Sequence, residues 1–396
     1  MNTAPAPVAA LLDAWDDSSL YPEALRAGLL PYLHTQGPCI AVGTRDGRRA
    51  WAVTGHRALR EAALRPRDFS GELLGTAMSD ATPEETALLR RQLPGLADGP
   101  HARMRRGLSA SLRADINRGL SERAREAVAG RTAALRRTSC AGKRACLADL
   151  VGDVVVPVVA DALGELLGVP TALKEEFRSW CVDSSEMTAE PEAEERALRA
   201  FLHICAQLRR HRTVHPAEDL PTFLAARLTS TAEFALNWVL LVKAGFGATV
   251  SAGAQLLRAL PRDGSAAEEV PTLLDDTLRR HPPILQARRT ATRPTVLAGQ
   301  DIVAGERVLL VFAAPGLGPG AAPHTAFGHG RHACPGAPWA RALLTGLAHG
   351  AAPAATRWQL PDTASAYATS FSQGLLTLPA DHAPAARCPA DPRSAR

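Results

Sequence analysis

A mainly α chain with a minor β portion is expected from three features of the sequence. Apolar residues recur at helical spacing through most of the stretch from 56 to 281. Short apolar runs bounded by turn residues flank that stretch, as in Pro38–Val42 and Ala50–Val53 before it and Val296–Val311 after it. No internal repeat is visible, which sets aside solenoids and propellers.

In chain order, an amphipathic helix is read around 22–34, then a strand, an Asp46-Gly47 turn and a second strand. Helical periodicity then predicts helices over roughly 56–65, 84–92, 100–113, 115–136, 149–167, 171–185, 191–212, 219–228, 231–256 and 269–281. Pro282-Pro283 stops the last of these. Beyond it lie short strands at 296–299 and 302–311, broken at Ala304-Gly305, and a Gly/Pro/Ala-rich loop over 313–325. One more helix is read over 337–350. Residues 1–380 are expected to form one domain, with 381–396 as a loose Pro/Ala/Arg tail.

Composition narrows the functional classes. Of 396 residues, 46% are hydrophobic and 21% charged, which excludes a disordered chain. Seven cysteines (39, 140, 146, 181, 205, 334 and 388) repeat no framework and read as reduced thiols. No uninterrupted apolar run reaches ~20 residues and no basic-then-apolar leader opens the chain, so a cytoplasmic protein is expected, with no membrane and no nucleic acid as partner. The net charge is +5, and only three of the 45 basic residues are lysine; this is modest for such a length, so only a local patch would carry a partner.

One segment carries chemistry. Residues Phe327 to Arg341 read F-G-H-G-R-H-A-C-P-G-A-P-W-A-R. Gly328 and Gly330 permit a tight loop around Cys334, and Gly336 lets a helix start beneath it. A cysteine just before a helix N-terminus has its thiolate stabilised by amides and by the helix dipole, which suits a metal wanting one soft axial ligand, haem iron above all. Two other readings stand beside it: a buried structural cysteine, and zinc held by His324, His329, His332 and Cys334.

At this segment the chain resembles the cytochromes P450, whose haem-binding loop F-G-x-G-x-H-x-C-x-G-x-x-x-A-R is met at every defined position. Further matches follow in the family's order: Gly47 with Trp51-Ala-Val-Thr54, Phe69-Ser70, His101 with Arg105, Glu165 to Pro170, Ala244-Gly245, Arg279 with His281-Pro-Pro283, Arg289-Thr-Ala-Thr292, and Gly374 to Pro379. The resemblance implies the cytochrome P450 fold and haem b with Cys334 as axial thiolate. It implies His101, Arg105, Arg289 and His332 on the haem propionates, with Phe327 and Gly336 shaping the loop, and Gly245, Ala248 and Thr249 on the long helix above the haem. It also implies a small-molecule substrate met by segments near 71–97, 180–215, 239–249 and 371–376, and electrons from a ferredoxin and its reductase. Arg103, Arg106, Arg113 and Arg331 are candidates for the basic patch that would meet such a partner.

Three departures from the family pattern stand out. The acid–alcohol pair of the long helix reads Gly247-Ala248, with Thr249 one residue late; Thr249 partly replaces the alcohol if the helix register shifts by one residue, and is otherwise expected to bond a carbonyl in the turn before it, so Gly245, Ala248 and Thr249 are the catalytic candidates. Lys243 is expected to be structural. The E-x-x-R of a later helix reads Asp276-Thr-Leu-Arg279, and the loop after Val311 is too short to supply the usual third arginine, which Arg280 is not expected to replace. The expected function is therefore an atypical P450 oxidising a small organic substrate with dioxygen. The alternatives are a peroxide-using or non-oxygenative haem protein, and a catalytically silent partner.

Overall fold

The computed structural model describes residues 30–43, 49–71, 80–96, 98–139, 148–185, 191–263, 265–316, 323–361, 363–369 and 371–382. Gly47 and its turn, Cys140, Cys146 and Cys388 lie outside these residues, as do parts of the expected substrate segments and of the 313–325 loop.

The chain enters through α1 (Leu30–Gln36), β1 (Cys39–Gly43), β2 (Arg49–Val53), α2 (His56–Ala63) and β3 (Phe69–Ser70). Next come α3 (Pro83–Leu89), α4 (Asp98–Asn117), α5 (Leu120–Ser139), β4 (Ala148–Asp149), a π turn at Val151–Val155 and α6 (Val156–Leu166). The helical run continues with α7 (Lys174–Asp183), α8 (Pro191–Val214), α9 (Leu220–Arg227), α10 (Thr231–Ala259) and α11 (Ala266–Arg280). Strands β5 (Gln286–Ala291), β6 (Thr295–Leu297), β7 (Gln300–Ile302) and β8 (Arg307–Val311) precede α12 (Ala337–Ala355). The chain then runs through β9 (Trp358–Gln359), β10 (Ala366–Ala368), β11 (Gln373–Leu375) and β12 (Pro379–His382), so the first two residues of the expected tail, Asp381 and His382, instead pair with β9, and the rest of it lies outside the described residues.

The helix expected over 22–34 lies mostly outside the described residues; the other expected helices are present, with boundaries that shift by a few residues. The break expected near 114 falls at Arg118–Gly119 instead, because Gly119 takes a φ of +86° and lets α4 end and α5 restart. Local chemistry explains several starts. Thr82 and Glu85 form a reciprocal capping box ahead of Pro83. Ser230 accepts the Glu233 amide at the start of α10.

Helix α10 is the axis of the main core. Phe234, Trp238, Val242, Phe246 and Val250 recur every four residues and are all buried. Trp238 meets Phe177 of α7 and Phe201 of α8 edge-on at 6.2 and 5.8 Å between ring centroids. By length and hydropathy α10 would suffice to span a bilayer, although Lys243 interrupts its apolar run; half of its apolar window is buried in this core.

The larger sheet runs β1-β2-β8-β5-β3, with β2 and β8 parallel and the other pairs antiparallel. Its period-2 alternation feeds two small cores. Ala50, Ala52, Leu309 and Val311 face one, and Trp51, Val53, Val308 and Leu310 face the other. The alternation also splits two neighbouring arginines on β5: Arg288 goes to one face, where it is fully buried against Asp80, and Arg289 to the other.

The helix that follows Cys334 is held by a tight contact. A Cβ at Gly346 would stand 2.0 Å from the Ser121 carbonyl oxygen, and one at Gly350 2.4 Å from that of Arg125, so α12 and α5 touch backbone to backbone. Trp339 Nε1 donates to buried Asp115 of α4 at 2.7 Å. Helix α12 therefore starts from a fixed position.

Candidate haem-binding site

Cys334 lies between a short 3-10 turn at Gly330–His332 and the start of α12. Its amide donates to the Phe327 carbonyl at 2.7 Å, which closes the loop. The amides of Gly336 and Ala337 bond the sulfur, and the charge of Arg105 acts on it. Burial outweighs these and holds the thiol above its usual pKa, although the residue still reaches solvent. The loop amides thus act on Cys334 in the direction the sequence predicts, lowering the cost of the anion, while burial works against them.

A cluster of cations surrounds the loop. His101 and Arg105 sit one turn apart on α4, Arg289 on β5, and Arg331 and His332 on the loop itself. The rings of His101 and His332 meet edge-on at 5.2 Å. Burial pushes the His332 pKa down to about 3, helped by the charges of Arg289, His101, Arg331 and Arg105, so the imidazole is neutral. Arg289 is 8% exposed, and burial pushes its pKa down to about 10. Among the described residues its guanidinium bonds only the Arg288 carbonyl, at 2.8 Å. A buried cation without a carboxylate is costly, so the cluster is built for an anion brought from outside. Two propionates beside a thiol ligand meet that requirement, and the residues present fit haem.

The zinc alternative is not supported. His324 turns to Asp275 and Arg341, His329 packs on His56 and His332 on His101, and among the described residues no group of three or more candidate ligands gathers.

The long helix divides the residues expected to act together. Ala244 is exposed, Ala248 half-buried, and a Cβ at Gly247 would meet no atom within 4 Å, so these three share an open face. Gly245 and Thr249, one turn apart, share the packed face: a Cβ at Gly245 would stand 3.0 Å from Leu163 of α6, and Thr249 is buried. Helix α10 is continuous from Thr231 to Ala259, with no bulge to turn Thr249 toward Ala248. The expected carbonyl bond of Thr249 is absent among the described residues, whereas Thr132 makes such bonds to Val128 and Ala129. Lys243 forms a surface ion pair with Glu194 at 2.7 Å.

Arg280 is the clearest correction. Asp276 takes Arg279 at 2.5 Å on Oδ1 and Arg280 at 2.7 Å on Oδ2, while Arg279 Nη1 donates to the Gly316 carbonyl at 2.6 Å. Helix geometry places i+3 and i+4 on one side, so Arg280 can serve where no loop arginine exists. Of the four candidate patch arginines, Arg103, Arg106 and Arg113 are exposed along one face of α4, and Arg331 turns inward to the Leu96 carbonyl at 2.9 Å. Sequence reading missed Asp275 and the Asp80–Arg288 pair, for which no local pattern exists.

No family model matches the chain. It is similar to the cytochrome P450 monooxygenase PikC of Streptomyces venezuelae, with 30% identity over 338 residues, 78% of this chain and 79% of that protein. It is also similar to the erythromycin C-12 hydroxylase of Saccharopolyspora erythraea, with 30% identity over 227 residues, 49% of this chain and 57% of that protein. In fold it resembles the crystal structure of CYP108D1 from Novosphingobium aromaticivorans, at a TM-score of 0.77 and 20% identity, covering 96% of this chain and 99% of that one. With an intact thiolate loop, a fitting cation cluster and a relative matched over most of both lengths, the chain belongs to the cytochrome P450 superfamily of haem-thiolate oxidoreductases.

Proposed function

We propose that this P450 binds haem b through Cys334 and oxidises a small organic substrate of specialised metabolism in the cytoplasm, using dioxygen and electrons from a ferredoxin and its reductase. The observation that carries this reading is the cluster of His101, Arg105, Arg289, Arg331 and His332 without a described carboxylate partner for Arg289, set beside Cys334. Haem bound there, with Cys334 as its thiolate ligand, would supply the oxygen-activation chemistry.

The chain's own residues do the rest. Cys334 would ligate the iron as thiolate, releasing its proton to solvent, and the Gly336 and Ala337 amides would hold the negative sulfur. Arg289 and Arg105 would take the propionate charge, with His101 and neutral His332 as hydrogen-bond partners. On α10 the open face carries Ala244, Gly247 and Ala248, which neither hold nor move a proton, so water or a substrate hydroxyl must deliver it. The exposed Arg103, Arg106 and Arg113 suit an acidic ferredoxin surface. The names of the two relatives, a monooxygenase and an erythromycin hydroxylase, support a specialised metabolite as substrate.

The bare relay face favours a second reading, oxidation driven by peroxide. The carbon monoxide difference spectrum of the dithionite-reduced protein tests the common core of both: a strongly red-shifted Soret band is expected, and a band typical of a neutral axial ligand would overturn the thiolate assignment. Ferredoxin-dependent turnover without added peroxide then supports the first reading, and turnover with peroxide alone the second.

A further inference from the structure

A second ionic cluster grips the thiolate loop from the side of α11. Arg341 Nη1, in the second turn of α12, pairs with Asp275 Oδ1 of α11 at 2.7 Å, and Nη2 stands 2.6 Å from His324 Nε2. His324 Nε2 is in turn 3.4 Å from the same Asp275 oxygen. The Arg341 guanidinium lies over the Phe327 ring, 5.5 Å from its centroid, and the His324 ring meets Phe327 edge-on at 5.6 Å. The Phe327 carbonyl is the acceptor of the Cys334 amide.

Arginine has no acceptor, so His324 must present a bare Nε2 to Arg341 and is neutral, with its proton on Nδ1. Burial and the Arg341 charge hold its pKa below the usual value, in keeping with that state. Nδ1 is buried and has no hydrogen-bond partner among the described residues.

We infer that Arg341 and His324 are positioning residues for the axial ligand: with Arg341 anchored on Asp275 and His324 held by Arg341, they fix the Phe327 ring from two sides and so, through its carbonyl, set where Cys334 points. The sequence over 313–323 is Ala, Pro, Gly and Leu and carries no charged side chain. The inference rests on Cys334 being the haem ligand.

The test uses the full chain loaded with haem, read by the carbon monoxide difference spectrum and by ferric low-spin electron paramagnetic resonance, neither of which requires turnover. In Arg341→Met and His324→Leu, the ratio of red-shifted to neutral-ligand band is expected to fall about tenfold, the effect of one charge-assisted hydrogen bond. Arg341→Lys is expected to fall with them, because one ammonium cannot span Asp275 and His324 while lying on the ring. His324→Gln, which keeps an acceptor for Arg341, is expected to recover most of the band. Arg178→Ala, which breaks ion pairs to Asp161 and Glu175 elsewhere in the fold, should leave the band unchanged.

If wild type shows the band and Arg341→Met and His324→Leu keep it, the positioning role is overturned while the haem reading stands. A loss of the same size in Arg178→Ala would reduce the effect to general stability and overturn it too. A wild type without the band overturns the haem reading and this inference with it. Should Arg341→Met fail to fold, the His324→Leu and His324→Gln pair decides alone.

Discussion

Arg280 and Asp276 pair at 2.7 Å one helical turn apart, on the carboxylate that also holds Arg279. The ion trio that the sequence left one arginine short is thus completed from within α11. It is also wetter than a core trio, since the Asp276 side chain is 39% exposed and that of Arg280 63%.

Asp276→Asn should therefore cost about 1 kcal/mol of unfolding free energy in urea, in the range of exposed ion pairs, and not the several kcal/mol of a broken buried pair. The red-shifted carbon monoxide band is expected to survive the change. A loss above about 3 kcal/mol would show that the pair is carried deeper in solution.

Arg289→Met should separate two effects of opposite sign. In the haem-free protein, replacing a cation whose described hydrogen-bond partner is one carbonyl is expected to be neutral or stabilising in thermal unfolding. Haem transfer to a competing scavenger should nevertheless quicken by roughly tenfold to a hundredfold, the worth of one charged hydrogen bond.

Gly330→Ala should destabilise by about 2 kcal/mol. The residue has a φ of +68°, and a Cβ would stand 2.5 Å from the Ala63 carbonyl oxygen at the end of α2. Chemical denaturation measures the loss, and a reduced haem content should accompany it because the turn leads directly into Cys334.

The open face of α10 predicts an engineering result. A side chain at 247 meets empty space, so Gly247→Asp with Ala248→Thr should fold as wild type and raise the fraction of reductant recovered as product. Thr249→Val should leave that fraction within about twofold, since its hydroxyl lies on the packed face. A large fall in coupling with Thr249→Val would place the proton path through that residue instead.

Asp68 should govern part of the acid response. Burial disfavours its charged form, but hydrogen bonds and charges from Arg65 and Arg293 prevail and hold its pKa below the usual 3.8. The unfolded chain then takes up the extra proton first, so this stabilisation is complete well above pH 4 and is lost as the pH falls through the carboxylate range. Wild type and Asp68→Asn are expected to differ most in stability near neutral pH and to converge only as the pH falls below the lowered Asp68 pKa, read by denaturation at each pH.

Most of the helices were legible because each carries its own periodicity, as the four-residue recurrence from Phe234 to Val250 shows. The thiolate loop was legible because backbone conformation demands glycine and ligation demands cysteine at set spacing. The break at Gly119 was misplaced by a few residues because helix ends depend on competing caps. The role of Arg280, the Arg341–His324–Asp275 cluster and the separation of Ala248 from Thr249 were not legible in the same way. Each depends on which faces two distant segments turn to each other.

What the sequence by itself determined is the mainly α fold, the superfamily and the chemical identity of the loop around Cys334, because periodicity and short-range spacing encode them. What only the tertiary structure decided is the setting of that loop: burial raises the Cys334 pKa against the amides that lower it, and Arg289 is buried with the Arg288 carbonyl as the one hydrogen-bond partner of its guanidinium among the described residues. Desolvation depends on the packing of residues far apart in the chain, and no local pattern of residues records it.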